Sequence, residues 1–320
     1  MNILLTNICN QQCAYCFAKG KIGEGKKAGK GHYITLENIG KVLKFAKRTN
    51  EKTIGVLGGE PTLHPQFEKV IELIISNGFF VRLFTNGIMR NETVQFLKSY
   101  DPEKLQITLN VNYQGSYKQG QWGKLTSALR ALNRITIPGH TIHDLKFDGK
   151  WLIELIKKYD LRKNIRLGIA APLFGSDNTY ISLRDHKRLG ENVMRFSREC
   201  DDSGIQIIFD CGFRLCSFTE KQIGQLYYND NAPLFSCPTV IDVNVDLTLW
   251  RCFATSNIFN AKLGDFKDLN AAREFFDKKF EKLRAVGADP ACLECKHLAK
   301  KTCRGGCIGH TLKSFKAGPN

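Results

Sequence analysis

No apolar stretch in the 320 residues is long enough to cross a bilayer, and nothing near the start reads as a cleavable signal. Met1 to Ile8 holds a short apolar run that passes straight into polar, cysteine-bearing sequence. A membrane is therefore not expected as a partner, and a cytoplasmic location is. Internal repeats and long linkers are also lacking, which excludes solenoids and tethered arrays. Acidic residues are comparatively few, 31 Asp and Glu against 47 Lys and Arg, for a formal net charge of +16. No nucleic-acid recognition motif accompanies that charge, so nucleic acid is not expected either.

Cysteine, by contrast, is abundant. Twelve cysteines in a chain of this size do not read as a disulfide framework, because the cytosol keeps thiols reduced and a chain with 42% hydrophobic residues can build its own core. Metal ligation is the expected use. Iron-sulfur clusters would lower the positive charge, a four-thiolate [4Fe-4S] centre carrying about −2, without abolishing it. Part of the excess lies in a Lys/Gly-rich stretch, Lys19 to Gly31, and part around Lys296, Lys300, Lys301 and Arg304. These are either solvated surface or a binding surface for an acidic partner.

Up to about residue 210, short apolar β-type runs alternate with amphipathic helices, the pattern of a parallel sheet with covering helices. Strands are expected at Ile3 to Thr6, Thr53 to Leu57, Phe79 to Thr85, Leu105 to Val111, Ile135 to His143, Ile165 to Ala171 and Ile205 to Phe209. Helical spacing between them places Phe67, Val70, Ile71, Ile74 and Ile75 on one face, and Leu152, Leu155, Ile156 and Tyr159 on another. About six β/α units imply an α/β fold, a (β/α)6 partial barrel of TIM-like type with its site at the carboxyl ends of the strands. After residue 210 the pattern changes to a hairpin, Val240 to Phe253, a helix from about Leu269 to Val286, and a cysteine-rich end too poor in apolar residues to fold without metal. Residues 1–210 are thus read as the barrel and 211–320 as a small iron-sulfur domain, with the tail Lys316 to Asn320 frayed.

Directly after the first strand, Cys9, Cys13 and Cys16 fall within eight residues, so one loop can wrap three thiolates around a cluster. A cubane with three local ligands leaves one iron open to a small molecule. The alternative is a structural zinc or a cluster with a distant fourth ligand. Gly58-Gly59-Glu60-Pro61 ends the second strand, where paired glycines admit close approach and a carboxylate can pair with an ammonium. Phe84-Thr85-Asn86-Gly87 ends the third, and Thr108 and Asn110 share one face of the fourth.

The C-x3-C-x2-C triplet with Tyr15 before its last cysteine resembles the signature of the radical SAM superfamily. The resemblance implies that S-adenosylmethionine chelates the open iron, that Tyr15 lies against its adenine, and that Glu60, in a motif similar to the family's GGE, holds its amino group. Thr85 and Asn86 match the TNG that often closes the third strand, and Thr108 and Asn110 would serve a ribose hydroxyl. Relatives often carry Asp where Asn110 stands.

Towards the end, Cys292-x2-Cys295-x7-Cys303-x3-Cys307 follows Cys237-x14-Cys252, a strong metal signal. These cysteines resemble the SPASM and twitch extensions, which hold auxiliary [4Fe-4S] clusters. Three departures stand out: Leu247 replaces a glycine often found in the hairpin turn, the interval from Cys295 to Cys303 is slightly long, and no cysteine follows Cys307. Two auxiliary clusters need eight cysteines, which brings in Cys211 and Cys216 and leaves Cys200 spare. One cluster alone, or a second completed by His297 or His310, is the alternative. Cys200 extends the apolar helix face of Leu189, Val193 and Phe196 and is expected to pack in the core. Cys211 has a second reading as a thiol that returns a hydrogen atom to a substrate radical.

The resemblance implies an enzyme that cleaves S-adenosylmethionine reductively, with an electron from a flavodoxin- or ferredoxin-type donor, to abstract a substrate hydrogen atom. A ribosomal peptide or protein is the expected substrate, the Lys/Gly stretch forming a cover that contacts its acidic groups. With no leader-binding domain evident before the first strand, oxidation or epimerisation of a small molecule such as a sugar or antibiotic precursor is the alternative. A non-catalytic electron carrier is the reading from another class.

Overall fold

The computed structural model describes residues 1–22, 32–229 and 235–314. Most of the Lys/Gly stretch and the tail lie outside the described residues.

Seven parallel strands form as the apolar runs dictate: β1 (Asn2–Leu4), β2 (Thr53–Leu57), β3 (Phe80–Thr85), β4 (Leu105–Asn110), β5 (Thr136–Ile142), β6 (Asn164–Ile169) and β7 (Gln206–Phe209). Between them run α1 (Leu36–Lys47), α2 (Phe67–Ser76), α3 (Asn91–Lys98), α4 (Gln121–Ala131), α5 (Lys150–Tyr159) and α6 (His186–Asp202). The strand period of two sends Ile3, Ile54, Val56, Val81, Leu83, Ile107, Leu109, Ile165, Leu167 and Ile207 to the helix-covered face, where they are buried against the apolar stripes of the helices. Each such side chain contributes on the order of 1.5–3 kcal/mol on burial. α1 starts where the Thr35 side chain accepts from the Asn38 N–H, supplying a bond that the first helical turn cannot make for itself.

The opposite face carries Leu4, Leu57, Phe84, Thr108, Asn110, Gly139 and Arg166. Leu4 and Leu57 join a separate small core with Ala18, Trp250 and Phe253. Arg166 lies over the Phe84 ring, 5.1 Å from its centroid, and pairs with Asp210 just beyond β7.

Residues beyond 210 continue the same sheet. β8 (Asp242–Val243) pairs in parallel with β1, and β9 (Thr248–Trp250) and β10 (Ala261–Lys262) follow antiparallel, giving the order β10-β9-β8-β1-β2-β3-β4-β5-β6-β7. The Asn2 side-chain amide donates to Asp242 at 2.7 Å across that junction. Leu247 occupies the hairpin turn at φ +62°, a left-handed conformation that a glycine adopts freely and that costs a leucine about 1–2 kcal/mol. Helix α7 (Glu220–Tyr228) precedes the hairpin; α8 (Leu269–Val286), capped by Asp268 on the Ala271 N–H, and the short α9 (Lys296–Ala299) and α10 (Ile308–Ser314) follow it. No helix among the described residues is long and apolar enough to cross a membrane.

Candidate active site and cysteine groups

The carboxyl ends of β1, β2 and β3 converge on the loop bearing Cys9, Cys13 and Cys16. Backbone bonds from Gly59 N–H to Thr6 O (2.7 Å) and Glu60 N–H to Ile8 O (2.8 Å) carry the β1–β2 ladder into that loop. At Gly59 a Cβ would stand 2.2 Å from the Ile8 carbonyl oxygen, so only glycine lets the second strand run this close to the cysteines. Burial pushes the Cys9 thiol up to about 12 and the Cys16 thiol up to about 11. Partly buried thiols on one loop are poor thiolates until a cation joins them, which is the donor chemistry of a metal cluster.

Glu60 is fully buried, and its carboxylate takes four protein donors. Oε1 accepts from the Thr62 N–H (3.2 Å), the Thr62 hydroxyl (2.7 Å) and the Thr85 hydroxyl (2.7 Å), and Oε2 from the Asn86 N–H (2.8 Å). In this arrangement the carboxylate joins the end of β2 to the end of β3. The Asn86 side chain then donates to Asn10 Oδ1 (2.8 Å), and Asn10 donates to Ile88 O (2.9 Å), so the interior of the cysteine loop is held by the third strand. Pro61 opens the short turn that follows Glu60 and places Thr62 beneath it.

Tyr15 stacks on His143, with ring centroids 4.3 Å apart, and its hydroxyl donates to Asn112 Oδ1 at 2.7 Å. One ring face is thus already covered by the end of β5. Thr108 is fully buried with its hydroxyl unpartnered among the described residues, while Asn110 is half-buried. Among the described residues, neither is hydrogen-bonded to the cysteine loop; the bond from the end of β4 comes through Asn112, two residues further on. Asn10, Asn112 and His143 were not singled out from the sequence, since nothing in their local spacing distinguishes them.

The other cysteines fall into two groups. Cys216, Cys292, Cys295 and Cys303 line one pocket of about 200 Å³, with His297 at its wall. The charges of Cys307, Cys237 and Cys252 all bear on the Cys211 thiol, which burial holds well above the ordinary range. Cys211 is nonetheless exposed as a residue, so the burial acts on a thiol whose own residue still meets solvent. Gly305, at φ +73°, turns the chain between Cys303 and Cys307 and sends one to each group. No three thiol, imidazole or carboxylate groups among the described residues converge as one metal ion requires. The grouping suits a cluster whose ligands attach to separate irons. Cys200 is fully buried in the helix-face core, and His310 packs edge-on against His186 and Tyr180.

Residues 3–146 match the model of the Radical SAM superfamily. A probable GTP 3′,8-cyclase of Methanocaldococcus jannaschii is 31% identical over 120 residues, 37% of this chain and 39% of that protein. Another, of Pyrobaculum aerophilum, is 24% identical over 230 residues, 72% of this chain and 71% of that protein. The alignment thus spans about two fifths of the length of the first relative. Among solved structures, Streptococcus suis SuiB bound to S-adenosylmethionine superposes with a TM-score of 0.69 at 11% identity, covering 99% of this chain and 74% of that one. Native anSMEcpe with bound AdoMet and Kp18Cys peptide gives 0.67 at 17%, covering 99% and 94%. At such identities the likeness is one of fold.

Proposed function

On the match of residues 3–146 to the Radical SAM superfamily, we propose that the chain is a radical SAM enzyme with two auxiliary [4Fe-4S] clusters that modifies a peptide or protein by hydrogen-atom abstraction. The observation that carries this reading is the partition of eleven of the twelve cysteines into one loop of three and two groups of four.

Cys9, Cys13 and Cys16 hold the first cluster, and Gly58, Gly59 and the Tyr15–His143 pair line the place where S-adenosylmethionine meets it. When bound, this pair of cofactors supplies the electron and the 5′-deoxyadenosyl radical that removes a substrate hydrogen. Glu60 holds the ends of β2 and β3 in register and keeps Asn86 and Asn10 aimed at the cysteine loop. The unpartnered Thr108 hydroxyl and the half-buried Asn110 offer hydrogen bonds to a ribose on the inner face of the sheet. Cys211, Cys237, Cys252 and Cys307 hold one auxiliary cluster, and Cys216, Cys292, Cys295 and Cys303 the other. In this reading Cys211 is a ligand rather than a hydrogen donor. The electron comes from a flavodoxin- or ferredoxin-type donor.

The peptide reading is supported by fold neighbours whose structures hold a peptide: SuiB with its precursor peptide SuiA, and anSMEcpe with Kp18Cys. A small-molecule substrate is the second reading, favoured by the sequence relatives named for GTP cyclisation. Reconstituted protein given S-adenosylmethionine and reductant, with a synthetic library of acidic peptides in one arm and GTP in the other, separates them. A changed peptide mass supports the first reading; consumption of GTP with untouched peptides supports the second.

A further inference from the structure

Arg251 is 1% exposed, one of the most deeply buried large side chains in the protein. A guanidinium taken out of water costs several kcal/mol unless an anion faces it. Among the described residues none of its nitrogens lies within ion-pair distance of a carboxylate. Asp277 acts on it only from farther away, and accepts instead from the Thr239 hydroxyl. Its donors go to Cys237 Sγ at 3.4 Å, to Cys252 Sγ at 4.0 Å and to the Cys237 carbonyl oxygen. The Arg284 guanidinium donates to that same carbonyl from the other side. Two arginines therefore converge on one cysteine, and among the described residues the groups of opposite charge within reach of the deeper one are sulfurs.

The second group is built differently. Arg214, which lines that pocket, reaches Asp289 at 3.6 Å and donates to the Leu183 carbonyl oxygen at 2.6 Å. Its charge bears on Cys216 but is shared with the Asp289 carboxylate, and its N–H groups go to oxygen rather than sulfur. No arginine N–H is directed at a sulfur of that group among the described residues.

We propose that Arg251, supported by Arg284, is a positioning residue that raises the reduction potential of the cluster held by Cys211, Cys237, Cys252 and Cys307 above that of the second auxiliary cluster. A four-thiolate cluster gains a negative charge on reduction, and a desolvated guanidinium bonded to its ligand sulfurs stabilises the more negative state. The centre beside the end of β7 is then the more oxidising of the two and the natural electron acceptor.

This inference rests on the two-cluster reading above, and its test separates the two. A full-length C9A/C13A/C16A chain keeps only the auxiliary groups. Anaerobic reconstitution followed by potentiometric titration, read by electron paramagnetic resonance, gives their two midpoints. Arg251→Gln is expected to lower one midpoint by at least the equivalent of a tenfold change in its oxidised-to-reduced ratio, about 59 mV for one electron, and to leave the other in place. Arg251→Lys, which keeps a charge and is the variant that decides if the glutamine form does not fold, is expected to lower the same midpoint by less. Unchanged midpoints in a variant that binds the parent's iron overturn the inference. A parent that binds no iron overturns the cluster reading and the inference together.

Discussion

Asn86 donates to Asn10 Oδ1 at 2.8 Å, and through that one bond the end of the third strand grips the inside of the cysteine loop. The same residue's backbone N–H serves Glu60, so two strands and the loop share a single residue as their junction.

Replacing Asn86 by alanine keeps the backbone bond and removes the grip. The expected cost is about 1 kcal/mol of stability, read by urea unfolding of the apo chain. Formation of 5′-deoxyadenosine should slow by roughly tenfold as the loop loses its alignment. Unaltered kinetics would remove Asn10 from the site's support.

Glu60→Gln tests the carboxylate itself. An amide keeps one acceptor oxygen and turns its NH2 either towards the Asn86 N–H or towards the Thr62 and Thr85 donors, leaving at least one buried group unpaired. We expect a loss of about 2–4 kcal/mol, measured by denaturant unfolding. A variant as stable as the parent would show that the four hydrogen bonds are not what holds β2 to β3.

The cysteine partition predicts iron counts. Complete loading gives about twelve irons per chain, and Cys216→Ala or Cys303→Ala should each remove about four. Combining them should remove no more than either alone, since both belong to one group, whereas Cys216→Ala with Cys307→Ala should remove about eight. Cys200→Ala should leave the count unchanged. Additive loss from Cys216 and Cys303 would break the grouping.

Asp242 gives the junction of β8 with β1 a pH dependence. Burial pushes its carboxyl from 3.8 up to about 7 in the folded chain. The folded state therefore holds a proton that the unfolded state has already released. Stability should fall as pH rises from about 4 to about 7 and level off above, by at most about 4 kcal/mol. Asp242→Asn, which keeps an oxygen for the Asn2 amide, should remove that slope in urea titrations of the apo chain. A slope that persists would assign the pH dependence elsewhere.

Much of the frame was legible because buried parallel strands announce themselves as apolar runs. All seven strands of the first 210 residues stand within two residues of where those runs place them, and α8 spans Leu269–Val286 as its spacing indicates. The turn at Leu247 was legible too, as a leucine where glycine is usual. The continuation of the sheet through β8 was not, since pairing between residues 2 and 242 leaves no local pattern. Asn10, Asn112 and His143 escaped notice for the same reason: each is defined by a partner distant in the sequence. The four protein donors on Glu60 were also hidden, because a motif names a carboxylate without counting the donors around it. Arg251 reads locally as one more basic residue and acquires its meaning only when Cys237, fourteen positions earlier, lies against it.

The most direct test is chemical. Anaerobically reconstituted protein is incubated with S-adenosylmethionine and dithionite, and 5′-deoxyadenosine is quantified beside a Cys9→Ala control. A radical SAM enzyme releases 5′-deoxyadenosine and the control does not. Iron-loaded protein that yields none, or a control that yields as much, would contradict the assignment of Cys9, Cys13 and Cys16 as the seat of the chemistry.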